Sequence, residues 1–145
     1  MEDYVRLVVS DVHMGSLYSK ESKLHRLFHS TYFDEIILAG DIVDFIKIPS
    51  FTEHSAQLFQ DIAQFNKEGK KIIYVVGNHD IAFRKFIGQT VAGIQFVENY
   101  EFEYGNRKYR IEHGDKYETG IIHWRFTMNL VSIFHDLLER VFKWN

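Results

Sequence analysis

The sequence predicts an α/β protein built on a mainly parallel sheet. Short apolar runs rich in β-branched residues occupy positions 5–9, 35–39 and 70–76, and longer amphipathic stretches at 19–30 and 52–67 lie between them. Runs of four to eight apolar residues are typical of buried strands, whereas apolar residues at every third or fourth position are typical of helices. Strands that alternate with helices of this length favour parallel pairing, because a parallel connection needs a long crossover.

Local signals justify the individual elements. Thr52 predicts the start of the second helix and Gly69 predicts its end. Further along the chain, a Gly-Asn dipeptide at Gly105 separates extended segments at 100–104 and 108–111, which predicts a β-hairpin. We expect this antiparallel pair to join the sheet.

Residues 120–145 are strongly apolar, and their polar residues recur at helical spacing. We therefore expect residues 1–119 to form the core and residues 120–145 to form an apolar helix. The residues themselves leave three roles open for this helix. It packs back on the sheet, it packs on a partner surface that lies later in the chain or on a second copy, or it contacts a membrane surface peripherally.

Composition limits the classes of function. The chain has 145 residues, 17 basic against 20 acidic residues, and no cysteine. An acidic balance without a Lys/Arg cluster argues against specific nucleic-acid binding, and the absence of cysteine leaves metals to His, Asp, Glu and Asn ligands. The N-terminus has no signal-peptide pattern and no apolar stretch is long enough to span a bilayer, so we expect a cytoplasmic protein.

Polar clusters follow the predicted strands. Because the carboxyl ends of parallel strands meet at one edge of a sheet, these clusters are expected to converge there. Their oxygen and nitrogen ligands suit divalent transition metals better than soft, thiolate-bound ones, and crowded carboxylates would repel one another without a cation. The clusters are Asp11-x-His13, Gly40-Asp41-x-x-Asp44, Gly77-Asn78-His79-Asp80 and His113-Gly114-Asp115.

These motifs, in this order, resemble those of the calcineurin-like metallophosphoesterases. The His-Gly-Asp form at His113, followed by a long helical segment, is most similar to the branch that contains UDP-2,3-diacylglucosamine pyrophosphohydrolase. The resemblance implies a layered α/β/β/α sandwich that is incomplete at its C-terminus. In the similar branch the region that matches residues 120–145 forms a helical cap over a lipid-bearing substrate, which is the role we favour for this helix. The resemblance further implies hydrolysis of a phosphoester or pyrophosphate bond by a hydroxide that two divalent metals activate. Mn²⁺ is the first choice, with Fe, Co, Zn or Ni as alternatives. The implied substrate is a phosphorylated small molecule or a nucleotide-lipid of the UDP-diacylglucosamine kind, with general phosphodiesterase activity as the alternative.

The resemblance also implies roles for single residues. Asp11, His13 and Asp41 would bind the first metal, and Asp41 would bridge to a second metal held by Asn78 and His113. His79 and Asp80 would be the catalytic residues. His79 would act on the reacting phosphate, and either Asp80 or Asp44 would orient a histidine. Asn78 would also face the substrate. Independently of the resemblance, Arg84 follows this motif closely and would meet a second phosphate, because Arg favours bidentate phosphate contacts, or else lie on a solvated helix face.

One departure from the family pattern is clear. The family's later Gly-His-x-His motif, which adds one histidine to each metal, is absent from this sequence. We expect a chain that stops before its final strands, or one completed by another subunit. A metal-binding scaffold without catalysis, or an inactive fragment, is the alternative to an enzyme.

Overall fold

A computed structural model describes residues 4–46 and 49–117 of the chain. Its main sheet has five strands in the order β1-β2-β3-β5-β4. The first four strands in this order pair in parallel with their neighbours, and β4 pairs antiparallel with β5 at the edge. The predicted α/β class with a parallel-dominated sheet is therefore confirmed. The strands are β1 (Arg6–Val9), β2 (Glu35–Ala39), β3 (Lys71–Val75), β4 (Thr90–Val91) and β5 (Ile94–Val97).

Helices α1 (Glu21–Ser30) and α2 (Glu53–Lys67) cover one face of the sheet. The second helix starts where the sequence predicts, because the Thr52 side chain accepts a hydrogen bond from the Ser55 N–H in a capping box. The central strand β2 is buried along its whole length, which explains its unbroken apolar run. Its even-numbered face packs against α1 and α2 in one cluster that includes Leu24, Phe28, Ile36, Leu38, Leu58 and Phe65.

The predicted hairpin forms, but it does not join the main sheet. Strands β6 (Tyr100–Tyr104) and β7 (Arg107–Ile111) make a separate two-stranded sheet. The hairpin packs on the opposite face of the main sheet, over a second buried cluster of Ile37, Ala39, Ile73 and Val75. The expectation of a shared sheet was wrong because alternate residues of β6 are aromatic, so the hairpin buries a face instead of pairing an edge.

A buried carboxylate fastens the hairpin to the sheet. Glu35, fully buried at the start of β2, accepts a 2.6 Å hydrogen bond from the Tyr100 hydroxyl. The same carboxylate pairs with Arg6 at 2.6 Å and with Lys71 at 3.1 Å. These partners compensate the charge, which would otherwise be costly to bury.

The chain beyond Tyr117 lies outside the described residues. One compact unit ends at Asp115, and the predicted division at 119/120 and the apolar helix at 120–145 stay predictions. Two short 3₁₀ helices complete the described part, Ile81–Phe86 and Asp115–Tyr117. Within it, neither the α-helices nor the 3₁₀ turns have the length and apolar character needed to cross a bilayer.

Candidate metal centre

The loops that leave β1 and β2 run side by side beyond the strands. The N–H of Asp11 donates to the Gly40 carbonyl at 3.1 Å, and the N–H of His13 donates to the Asp41 carbonyl at 2.9 Å. The parallel pairing is thus extended by these loops to Met14, which forms a bridge with Val43. This extension brings Asp11, His13 and Asp41 to the same edge of the sheet.

Backbone strain is concentrated at three of the predicted ligands. Asp11, His13 and Asp41 have φ angles of 54°, 49° and 53°, in the left-handed region that residues other than glycine seldom adopt. Such conformations persist where the surrounding structure enforces them, and they cluster at functional sites. Here they turn the side chains of both loops toward one point.

Asp41 lies at the centre of the cluster. Its Oδ2 is 3.2 Å from Nε2 of His113 and 3.9 Å from Nε2 of both His13 and His79. Asp41 is almost fully buried. A single buried carboxylate oxygen therefore faces three imidazoles from three different loops.

Two groups of possible metal ligands share Asp41. One consists of His13, Asp41 and His79, and the other of Asp11, Asp41 and His113. The predicted set for each metal divides these residues differently, with Asp11 and His13 together. All the same, the five predicted ligands lie at one edge, since Oδ1 of Asn78 is 2.9 Å from Nε2 of His113.

The donor set fits divalent transition metals. Two ligand atoms that each lie about 2.1 Å from one ion at a right angle are about 3.0 Å apart. The atoms of Asp41, Asn78 and His113 meet at 2.9 and 3.2 Å, close to that spacing. Mixed carboxylate, amide and imidazole ligands without thiolate suit Mn²⁺, Fe, Co²⁺ or Zn²⁺.

Two glycines leave room for these side chains. A Cβ at Gly40 would overlap the His113 ring, and a Cβ at Gly77 would overlap the Asp41 carboxylate and backbone. Gly40 also has a φ of +88°. Both positions therefore require glycine because a side chain would collide with its neighbours. Gly40 also requires it because of its backbone conformation.

His79 is held by Asp44. Nδ1 of His79 lies 3.0 Å from Oδ1 of Asp44, and the ring meets that of His13 edge to face at 4.7 Å between centroids. The hydrogen bond to Asp44 is the main cause that raises the pKa of His79 above its ordinary value, and it outweighs burial, which acts in the opposite direction. Of the two aspartates that the sequence left open, Asp44 is the one hydrogen-bonded to a histidine.

Asp80 organises the backbone beneath the cluster. Its fully buried carboxylate accepts hydrogen bonds from the N–H groups of Asp41, Val43 and Gly77 at 2.7, 2.9 and 3.0 Å. The Tyr74 hydroxyl adds a fourth at 2.6 Å. These contacts occupy both oxygens of Asp80 and tie the loops after β2 and β3 together. The predicted catalytic role of Asp80 stays a prediction. Its observed contacts position the backbone of the two loops.

Arg84 lies on the first 3₁₀ helix with about half of its side chain exposed, and its nearest ion-pair partner is Asp115 at 3.9 Å. Such a long, exposed pair contributes little to stability. The predicted contact between Arg84 and a substrate phosphate stays a prediction.

A groove of about 500 Å³ adjoins the cluster and has Asp11 and His13 in its wall. Lys20 and Lys23 supply positive charge along it, and apolar side chains of α1 form another part of the wall. The groove thus combines basic and apolar surface beside the candidate ligands.

Comparison with known families agrees with this geometry. The model of the calcineurin-like phosphoesterases matches residues 5–143. The chain belongs to this family. No curated protein matches the chain. Among solved structures it is similar to the Pseudomonas putida nuclease MPE, at 23% identity and a TM-score of 0.37 over 63% of this chain. The match spans 46% of that nuclease chain.

In this calcineurin-like phosphoesterase chain, two buried polar groups were not predicted from the sequence: Tyr74, which contacts Asp80, and Asp61 on α2, which lies outside the candidate metal centre. Tyr74 is a hydroxyl-bearing residue inside a buried strand, and a buried tyrosine usually finds a hydrogen-bond partner. Asp61 follows Leu58 by three residues on α2 and so lies on its apolar stripe, where a charge needs compensation. The sequence thus indicates that the Tyr74 hydroxyl and the Asp61 carboxylate each need a polar partner, but it does not identify that partner.

Proposed function

We propose that this chain, within the protein to which it belongs, hydrolyses phosphoester or pyrophosphate bonds with two divalent metal ions at the cluster around Asp41. The observation that carries the proposal is the position of Asp41 Oδ2 among three imidazoles, shared by two groups of possible ligands. Asp11, His13, Asp41, Asn78 and His113 would hold the ions, with Mn²⁺ as the first choice. When bound, divalent metals activate water and neutralise the charge that develops on the phosphate oxygens.

His79 supplies the proton chemistry in this proposal. With Nδ1 hydrogen-bonded to Asp44, its Nε2 is the nitrogen that lies near Asp41. A ring fixed in this way donates a hydrogen bond to a phosphate oxygen or protonates the leaving oxygen. Asp44 acts through His79, and Asp80 acts through the backbone of Asp41.

The groove beside Asp11 and His13 supports a substrate that carries both phosphate and apolar parts. Lys20 and Lys23 would meet a second phosphate, and the apolar wall of α1 would meet a lipid chain. A nucleotide-lipid pyrophosphate of the UDP-diacylglucosamine kind has both features. Replacing both lysines with alanine should raise KM for such a pyrophosphate while leaving KM for bis-p-nitrophenyl phosphate unchanged. Equal effects on the two substrates would contradict this assignment.

The test of the reaction is hydrolysis of bis-p-nitrophenyl phosphate with saturating Mn²⁺. His79→Ala should lower kcat by about 10²- to 10⁴-fold, the usual contribution of a general acid. The amount of Mn²⁺ bound per chain should stay the same, because His79 is not one of the five residues that hold the ions in this proposal. His54→Ala is the matched control, because His54 is an exposed histidine on α2 whose Nδ1 meets Gln57, and it should keep full activity.

Two outcomes would favour other functions. A folded chain that binds Mn²⁺ but hydrolyses neither substrate would favour a metal-binding scaffold over an enzyme. Rapid hydrolysis of simple diesters without any preference for the nucleotide-lipid would favour a general phosphodiesterase.

A further inference from the structure

A second cluster of possible metal ligands lies on the two helices, outside the candidate metal centre. His25 and His29 project from α1 and Asp61 projects from α2. Nδ1 of His25 is 2.7 Å from Oδ2 of Asp61, and Nε2 of His29 is 3.0 Å from Oδ1 of Asp61. The two imidazole rings meet at 4.6 Å between centroids.

The spacing in the sequence explains why the three side chains converge. Residues four apart in a helix lie on the same face, so His25 and His29 project together toward α2. One ligand atom from each residue lies within 4.8 Å of the others. Two helices with separate connections to the sheet thus supply a compact set of two nitrogens and one carboxylate.

The charge of Asp61 strengthens the case. The residue is 7% exposed, and in the described part of the chain its ion-pair partners are His25 and His29. A buried carboxylate needs a cation or several hydrogen bonds to compensate its charge. A metal ion held by the two imidazoles would bring positive charge to this carboxylate in addition to the hydrogen-bonding geometry that is already present.

We propose that His25, His29 and Asp61 bind a divalent transition metal ion, with Zn²⁺ as the representative case. Each imidazole nitrogen lies 2.7 or 3.0 Å from a different oxygen of Asp61. Two ligands of a tetrahedral zinc lie about 3.3 Å apart, so binding requires the rings to move outward by a few tenths of an ångström and the carboxylate to turn one oxygen to the ion. Each histidine would carry its proton on the ring nitrogen that faces away from Asp61. Water would fill the fourth position, because the cluster supplies three ligands and the His29 side chain is 60% exposed.

Such an ion would join α1 to α2. It would stabilise the folded chain by mass action, since the three ligands come together only when the helices pack. The proposal is independent of the proposed hydrolysis, because the cluster contains none of the residues around Asp41.

The test is a Zn²⁺ titration of the full chain after treatment with EDTA, with bound metal measured by elemental analysis after equilibrium dialysis. The double variant His25→Gln/His29→Gln should lose one equivalent of zinc and should keep the Mn²⁺-dependent hydrolysis of the unmodified chain. The zinc-induced rise in Tm should shrink in the same variant. His54→Gln is the matched control and should bind as much zinc as the unmodified chain.

A second measurement does not depend on the double variant. Long-range ¹H–¹⁵N NMR of the unmodified chain should show that zinc shifts Nδ1 of His25 and Nε2 of His29, with the single variant His29→Gln identifying the signals and weakening this site by at least about tenfold. Unchanged zinc stoichiometry in the double variant, or unshifted signals of both nitrogens, would overturn the proposal. In that event the cluster is a hydrogen-bonded link between the helices. If the double variant does not fold, the NMR result decides.

Discussion

Asp80→Asn is the sharpest test of how the backbone around Asp41 is held. The carboxylate accepts four hydrogen bonds, from the N–H groups of Asp41, Val43 and Gly77 and from the Tyr74 hydroxyl. An asparagine keeps one acceptor oxygen and places an NH₂ donor where the other oxygen was. Because the residue is fully buried, water cannot replace the lost acceptor.

The orientation of the asparagine amide determines how much the free energy of unfolding falls. With nitrogen at the Oδ1 position, Val43 loses its acceptor, while the Tyr74 hydroxyl can rotate and accept instead. With nitrogen at the Oδ2 position, Asp41 and Gly77 would both lose theirs, so the first orientation is cheaper. One buried N–H without an acceptor costs about 1–3 kcal/mol, and two bonds that lose their charge assistance cost about 1 kcal/mol each. We expect the free energy of unfolding to fall by about 3 to 5 kcal/mol.

The assay is urea unfolding of the EDTA-treated chain, followed by far-UV circular dichroism. Asp115→Asn makes the same chemical change at a carboxylate whose partner, Arg84, is 3.9 Å away, and it should leave the midpoint unchanged. A loss of less than about 1 kcal/mol, or a gain in stability, would refute the reasoning. It would mean that removing a buried charge close to Asp41 offsets the broken hydrogen bonds.

Two further predictions concern a glycine and an acidic side chain. Gly40→Ala should weaken Mn²⁺ binding by more than about tenfold because its methyl group would displace the His113 ring. Gly69→Ala is the control, because Gly69 has a similar φ of +75° with nothing within 4 Å of an added Cβ, and it should cost only about 1 kcal/mol of stability. Equal Mn²⁺ affinities of Gly40→Ala and the unmodified chain, measured by titration calorimetry, would contradict the steric account. Asp34→Asn should destabilise the chain near neutral pH, because hydrogen bonds from the Tyr32 hydroxyl and the Val5 N–H hold the pKa of Asp34 below its ordinary 3.8. A lowered folded pKa stabilises above the unfolded pKa, so the difference in stability between the unmodified chain and the variant should shrink as the pH falls below 3.8 and on through the folded pKa. Urea titrations in which this difference does not shrink as the pH falls below 3.8 would contradict the prediction.

The sequence predicts that the candidate ligands converge at one edge of the sheet, for a topological reason. Asp11, Asp41 and Asn78 each follow a parallel strand, and parallel strands end at the same edge. That argument needs only the order of strands along the chain. It does not require the strand order in the sheet or any side-chain distance.

The choice between Asp44 and Asp80 shows where sequence reasoning stops. Both aspartates follow a strand within a few residues of a candidate ligand, so their positions in the chain are equivalent evidence. The structure separates them, because one carboxylate meets an imidazole while the other is surrounded by backbone N–H groups. That difference depends on two loops packing together, which spacing along one segment does not encode.

By itself, the sequence determined the α/β class, the helix start at Thr52, the hairpin at Gly105 and the edge at which the polar clusters meet. Each of these follows from local periodicity, capping or chain direction. Only the tertiary structure decided that the hairpin covers a face of the sheet and that Asp61 joins His25 and His29. In both cases the deciding contact joins elements far apart in the chain. Periodicity shows which side of an element is buried, but the identity of its partner depends on how complete elements pack.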